Sequence, residues 1–335
     1  ELTRFRSDAE SDERGARRGL PMFRGGPPPL PTAPATAHPT PVPDHITIAK
    51  ENVMTIIDAR LRPPLKDYLR CNLYRDPKKT QSWSDRFLMK VSPAVERRDA
   101  DLLYREMDDA GVTLGVMTGR RSPDMGNVSN DDLMDIVREQ PNRFVGIAGV
   151  DGSDPAAALA EIERTVLNGN LRGAGMEPGC GAIPMYVDDA RLYPVYQYCS
   201  DHAVPMFLMG GGGNGPDISY SNPEHIDRVC RDFPKLTVVN MHGSYPWVRQ
   251  VLFSCMCRPN MYLAPDMYMY NMPGAEDYVL AANGFLKERF LFGSGYPYIP
   301  LKQAVDLFVA MPFDRSVLPN VLYKNMARVL NLALD

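Results

Sequence analysis

The chain has 335 residues, 44% apolar and 23% charged, with a net charge of −4 and a pI near 5.8. Such values suit a globular protein with room for one large α/β domain or two ordinary ones, and they argue against a binder held by nucleic-acid phosphates. No apolar run approaches the roughly 20 residues of a membrane span, and the N-terminus lacks the apolar core of a secretory signal, so a cytoplasmic protein without membrane contact is expected.

Residues 1–50 stand apart. A charged stretch, Arg4 to Arg18, precedes Gly25-Gly26 and a proline-rich run from Pro27 to Pro43. That composition cannot bury a core, so a disordered, polyproline-like tail is expected there and a folded domain over 54–335. The first apolar segment, 54–62, reads as a strand ending in Asp58-Ala59-Arg60-Leu61-Arg62. Residues i and i+2 of a strand share a side, so Arg60 and Arg62 project together with Asp58 in their row. A long connection, 63–98, carries Trp83 and many charges.

From there strand-like and helix-like segments alternate. Helix 99–110 stops at Gly111 and leads to strand 112–118. Helix 130–139 leads to strand 143–150, and helix 154–167 leads to strand 171–176. Helix 190–202 leads to strand 204–209 and the glycines 210–213. Helix 222–232 leads to strand 236–241, helix 245–257 to strand 260–264, and helix 275–287 to strand 289–292. Helices near 300–311 and 316–334 close the chain. Eight strands with helical returns predict a (β/α)8 TIM barrel with its chemistry at the C-terminal strand ends, ahead of a doubly wound open sheet.

Those strand ends supply the candidate site. The first offers Arg60 and Arg62, the second Arg120 and Arg121, the fourth Glu177, and the fifth Met209 with its glycines. The sixth offers His242, the seventh Asp266 and Tyr268, and the eighth Ser294 and Tyr296. His242 is the candidate general acid/base, because imidazole titrates near neutrality. Arg60 and Arg62 suit a carboxylate or phosphate, or else salt bridges to Asp58 or Glu177. Glu177 is read either as such a partner or as a second acid/base. Tyr268, Tyr270, Tyr296 and the methionines 267, 269 and 272 suit either core packing or the wall of a substrate pocket. None of the six cysteines forms a CxxC pair, so buried free thiols are expected. The tetraglycine lacks the spacing and GK[ST] ending of a phosphate loop, and no GxSxG, HExxH or dinucleotide fingerprint is present.

Taken together, IIDARLRP, PNRFVGIAGV (141–150), LRGAGMEPG (171–179), LTVVNMHGSYPWV (236–248) and RFLFGSGYPYIP (289–300) resemble the amidohydrolase-related superfamily. The resemblance is to the branch containing aminocarboxymuconate-semialdehyde decarboxylase. It implies a barrel over about 55–334, a homodimer, and a metal held by HxH after strand 1, a His ending strand 5 and an Asp after the GS of strand 8. Those places here hold Arg60, Arg62, Met209 and Gly295. Only His242 carries over, as an acid/base. The expectation is therefore an enzyme without metal or cofactor, acting on a small unsaturated or aromatic carboxylate by decarboxylation, lactone opening, isomerisation or hydration. The alternative is an inactive barrel that binds a ligand or serves as a scaffold.

Overall fold

The computed structural model describes residues 55–333. The tail expected over 1–50 lies outside the described residues. Seven parallel strands form one sheet in the order of the chain: β1 Ile56–Asp58, β2 Val112–Thr118, β3 Phe144–Gly149, β4 Ala174–Met176, β5 Met206–Met209, β6 Val238–Met241 and β7 Met261–Ala264. The sequence predicts an eighth strand at 289–292, and here the structure differs. That segment is extended and joins both sheet edges, but it is not a regular strand. Leu263 bridges Phe290 on the β7 side, and the Ala59 amide donates to the Phe292 carbonyl at 3.0 Å on the β1 side. The Phe292 amide turns away to the Val321 carbonyl at 2.9 Å, which takes it out of the ladder. The sheet nevertheless closes on itself.

Alternation along the strands explains the two apolar cores. Phe207 and Met209 of β5 point inward to a cluster with Val116, Val145, Ile147, Val239 and Leu291. Met206 and Leu208, their neighbours in sequence, face the helices instead. The helices read as expected because their caps are local. Ser129, Asp99 and Asp154 each accept a backbone N–H from the first turn that follows. In the helix Pro223–Asp232, Ile226, Val229 and Cys230 are buried at helical spacing. Among the described residues no helix is long and apolar enough to cross a membrane. All six cysteines are free; Cys71, Cys199, Cys230 and Cys255 are buried as expected, whereas Cys180 is half-buried and Cys257 is exposed.

The connection after β1 is not a plain loop. It holds helices Asn72–Arg75, Pro77–Asp85 and Pro93–Arg97, which bring Asn72 and Trp83 to the site described below.

One buried clip holds β1 to the closing segment. Asp58 accepts the amides of Ser294 at 2.8 Å and Arg60 at 2.9 Å, and also the Ser294 hydroxyl. Burial pushes its carboxyl up to about 6, against those hydrogen bonds. Asp58→Ala strands two buried N–H groups and should cost about 3 kcal/mol in urea unfolding. Ser294→Ala keeps the backbone bond and should cost about 1 kcal/mol. Equal and negligible losses would remove the clip from the account of closure.

Candidate active site

The extended chain beyond β1 turns Arg60 inward, where it is 1% exposed. Its Nη1 donates to Thr118 Oγ1 at 2.6 Å, and its Nη2 lies 3.3 Å from Glu177 Oε1 and 3.5 Å from His242 Nε2. Arg120, just past β2, grips the other side of Glu177, with Nε at 3.0 Å from Oε2 and Nη2 at 3.2 Å from Oε1. Burial alone would raise the Glu177 carboxyl, but the Arg120 and Arg60 guanidiniums outweigh it and hold it below the usual range. Glu177 is thus an ionised clamp between two cations. Arg121, by contrast, reaches outward to Glu161.

His242 follows β6 with φ +64°, in the left-handed region. Its Nδ1 lies 3.0 Å from Asp266 Oδ1 and 2.8 Å from Oδ2. The Oδ1 contact has hydrogen-bond geometry; Oδ2 is left without a partner. Asp266 is itself fixed by the Met267 amide at 2.6 Å. A carboxylate on Nδ1 selects the tautomer with its proton there, which leaves the Nε2 lone pair toward Arg60 and the cavity. Tyr268 stands edge-on to the imidazole at 6.0 Å and stacks on Tyr245 at 4.7 Å.

His242 opens on a cavity of about 80 Å³ that Arg62, Arg120, Asn72, Trp83, Asn214, Tyr268 and Tyr298 help to line. Arg62 is anchored through its carbonyl, which accepts the Tyr74 hydroxyl at 2.6 Å. The structure therefore brings Arg60, Arg62, Glu177, His242 and Tyr268 together. It does not bring Met209, Ser294 or Tyr296 to the cavity lining. Met209 fills the inner core, Ser294 holds Asp58, and the Tyr296 hydroxyl lies 3.2 Å from Ser92 Oγ. Tyr270 is likewise buried, donating to the Gly293 carbonyl. Sequence reasoning noted Arg120 and Asp266 at strand ends without assigning them roles, and missed Asn72, Asn214 and Tyr298. The unusual length of the connection after the first strand was the available signal for Asn72.

The donor set does not fit a divalent ion. Among the described residues no group of three His, Cys, Asp or Glu side chains could hold one. The group facing His242 Nε2 is a guanidinium, which stays protonated and cannot ligate a cation.

A closed parallel sheet with its ionisable side chains gathered beyond the strand ends defines the TIM-barrel class of protein. Residues 36–332 match the amidohydrolase family, and the chain belongs to it. Within the wider superfamily its relatives are of the decarboxylase branch. It is 28% identical over 123 residues to a gamma-resorcylate decarboxylase of Polaromonas sp., covering 32% of this chain and 38% of that protein. It is 25% identical over 121 residues to a 2-amino-3-carboxymuconate-6-semialdehyde decarboxylase of Dictyostelium discoideum, covering 33% of each. The chain thus matches little more than a third of either curated relative. Among solved structures, an uncharacterised TIM-barrel protein from Bordetella bronchiseptica is 41% identical with a TM-score of 0.81, covering 83% of this chain and 98% of that one. A dihydroxybenzoic acid decarboxylase from Polaromonas sp. JS666, with bound manganese and an inhibitor, shares the fold at 17% identity and a TM-score of 0.61, covering 84% and 97%.

Because the Glu177 carboxyl is held low, its contribution to stability is present above the unfolded value near pH 4.3 and fades as pH falls through the lower folded value. Glu177→Gln leaves two buried guanidiniums without their counter-ion and should cost about 3 kcal/mol at neutral pH. Its unfolding midpoint should also fall less than the parent's as pH drops below about 4.3. A variant as stable as the parent, with the same acid limb, would contradict the clamp.

Proposed function

We propose that the chain is an enzyme of the lyase type that decarboxylates a small carboxylate without a metal ion. The observation that carries this reading is the His242–Asp266 pair, whose Nε2, 3.5 Å from Arg60 Nη2, faces a cavity lined by Arg62 and Arg120. Around it, Arg60 and Arg120 are paired with Glu177 and His242 with Asp266, while Arg62 has no acidic partner among the described residues. Arg60 and Arg120 are committed to Glu177, so Arg62 is the anchor for the substrate carboxylate. Cationic groups fixed in a dry site stabilise negative charge that develops in a transition state, without reorganising.

The proton balance is simple. His242 Nε2 takes a proton from solvent and delivers it to the carbon that loses the carboxylate, as the carbon–carboxylate bond breaks to give carbon dioxide and a product one carbon shorter. The imidazole is left neutral, as it began. Asp266 holds the ring in place through Nδ1. A guanidinium cannot lower the pKa of a water as zinc does, so attack on unactivated amides is disfavoured and proton-transfer chemistry fits better. Lactone opening, isomerisation and hydration need the same groups and come second. A non-catalytic, anion-binding barrel is the alternative, and the small cavity suits it as well.

Carbon dioxide release should be measured across a panel of small carboxylic acids, with metal content determined on the same sample. His242→Asn is the apt variant, since asparagine tolerates a left-handed backbone. It should lower kcat by at least about 100-fold with little change in unfolding, in line with the worth of a general acid. Arg62→Gln should raise KM by about tenfold or more. Full activity in His242→Asn would remove it from the mechanism. Stoichiometric manganese or zinc needed for turnover would overturn the metal-free reading. No turnover of any acid, with carboxylate binding intact, would favour the binding barrel.

A further inference from the structure

We infer that Asn214, on the loop after β5, is a substrate-orienting residue whose side-chain amide donates to the anion in the cavity. This rests on reading the cavity as the substrate site. Asn214 lines the cavity with Arg62, Arg120, Tyr268 and Tyr298. Its Nδ2 is buried and has no hydrogen-bond partner among the described residues. A desolvated N–H without an acceptor is costly, so the acceptor is whatever fills the space beside it.

The rest of the lining narrows what that is. Guanidiniums only donate. Burial raises the phenols of Tyr268 and Tyr298, which keeps them protonated and able to donate. Glu177, the nearby carboxylate, is taken up by Arg60 and Arg120. His242 Nε2 is then the site for proton exchange, and the other polar groups call for an acceptor-rich oxyanion.

The chain before Asn214 fixes where its amide can reach. A Cβ on Gly211 would stand 2.4 Å from the His242 carbonyl oxygen, and one on Gly212 would stand 1.8 Å from the Tyr268 hydroxyl. Gly212 also has φ +66°, which favours glycine. Its amide donates to the Tyr245 carbonyl at 2.8 Å, and its carbonyl accepts the Ser221 hydroxyl at 3.0 Å. The loop is therefore pressed against His242 and Tyr268, and Asn214 follows two residues later. Size selects the ligand further. The cavity of about 80 Å³ is roughly half of the 150 Å³ that admits benzene in an engineered core. Compact aliphatic carboxylates fit it as it stands.

The test uses the full chain carrying Trp247→Phe, which leaves Trp83 at the cavity as the one tryptophan of the two in the sequence. Sodium acetate should change Trp83 fluorescence in a saturable way. Asn214→Leu should weaken acetate binding by about tenfold, the worth of one hydrogen bond to a charged group. Asn214→Asp, of the same shape but acceptor-only, should weaken it further. If Arg62→Gln weakens binding while both Asn214 variants match the parent, the inference falls and the anion site stands. Tighter binding by Asn214→Asp would show that the side chain accepts from an arginine, which also overturns it. If neither acetate nor benzoate gives a saturable response in the parent, the anion-site reading fails and takes the Asn214 role with it. The isosteric aspartate decides the matter should the leucine variant unfold.

Discussion

A carboxylate that is 5% exposed and lies between two guanidiniums sets the geometry of this barrel mouth. Removing such charges from water is expensive, and an arrangement of this kind persists only where each charge finds its partners. Glu177 supplies them for Arg60 and Arg120, and so ties together the chain beyond β1, β2 and β4. Thr118 and Asn72 occupy further guanidinium hydrogens. The Nε of Arg60 stays unpaired, a residual cost that the ion pairs offset. Held this way, Arg60 has little freedom to follow a ligand. It acts as a fixed charge beside His242, while Arg62 is left to meet what enters.

The same clamp divides the roles of the two candidate acid/base groups. A carboxylate kept ionised by two cations is a poor proton donor near neutrality. His242 has the opposite situation, with one nitrogen oriented by Asp266 and the other toward the cavity. The left-handed backbone at His242, Gly243 and Ser244 is what lets the imidazole turn back from the end of β6 over the barrel. The Tyr278 hydroxyl, donating to the Gly243 carbonyl at 2.7 Å, helps hold that turn. Local backbone strain is spent here on aim.

Period-two alternation made the strands readable, because each of β2, β3, β5 and β6 sends alternate residues to two different apolar cores. Helix starts at residues 99 and 222 were read to within one residue, because Asp99 and Asn222 cap those helices. Strands β4 to β7 came out shorter than read at their N-terminal ends, as with β4, where Arg172 and Gly173 keep backbone hydrogen bonds to β3 without a regular ladder, while β1, read to Arg62, ends at Asp58. The eighth segment deceived for a related reason: its apolar pattern is that of a strand, yet Phe292 gives its amide to a distant helix turn. In the site, composition could locate ionisable residues at strand ends but not the reach of long side chains. Nothing in the spacing of Arg60 and Arg62 tells that one turns to Glu177 while the other faces the cavity. Ser294 and Asp58 look like mouth residues in sequence, and their mutual hydrogen bonds instead close the sheet. Tyr298 and Asn214 sit in segments whose placement depends on the whole barrel.

What a guanidinium can and cannot do then limits the chemistry. It neutralises an anion, orients a carboxylate through paired N–H groups, and steadies charge as it develops. It does not accept an electron pair or sharpen a water into hydroxide. Reactions whose hard step is creating a nucleophile are therefore badly served at this mouth. Loss of carbon dioxide is different, since its hard step is the negative charge left on carbon and the remedy is a nearby cation with a proton to follow. A cavity of about 80 Å³ adds its own constraint. It leaves little space for water once a small acid is bound, and excluding water strengthens every interaction between those charges and the reacting carbon. The small volume thus supports both competing readings of the barrel, and it is the cavity-facing Nε2 of His242 that weighs toward catalysis.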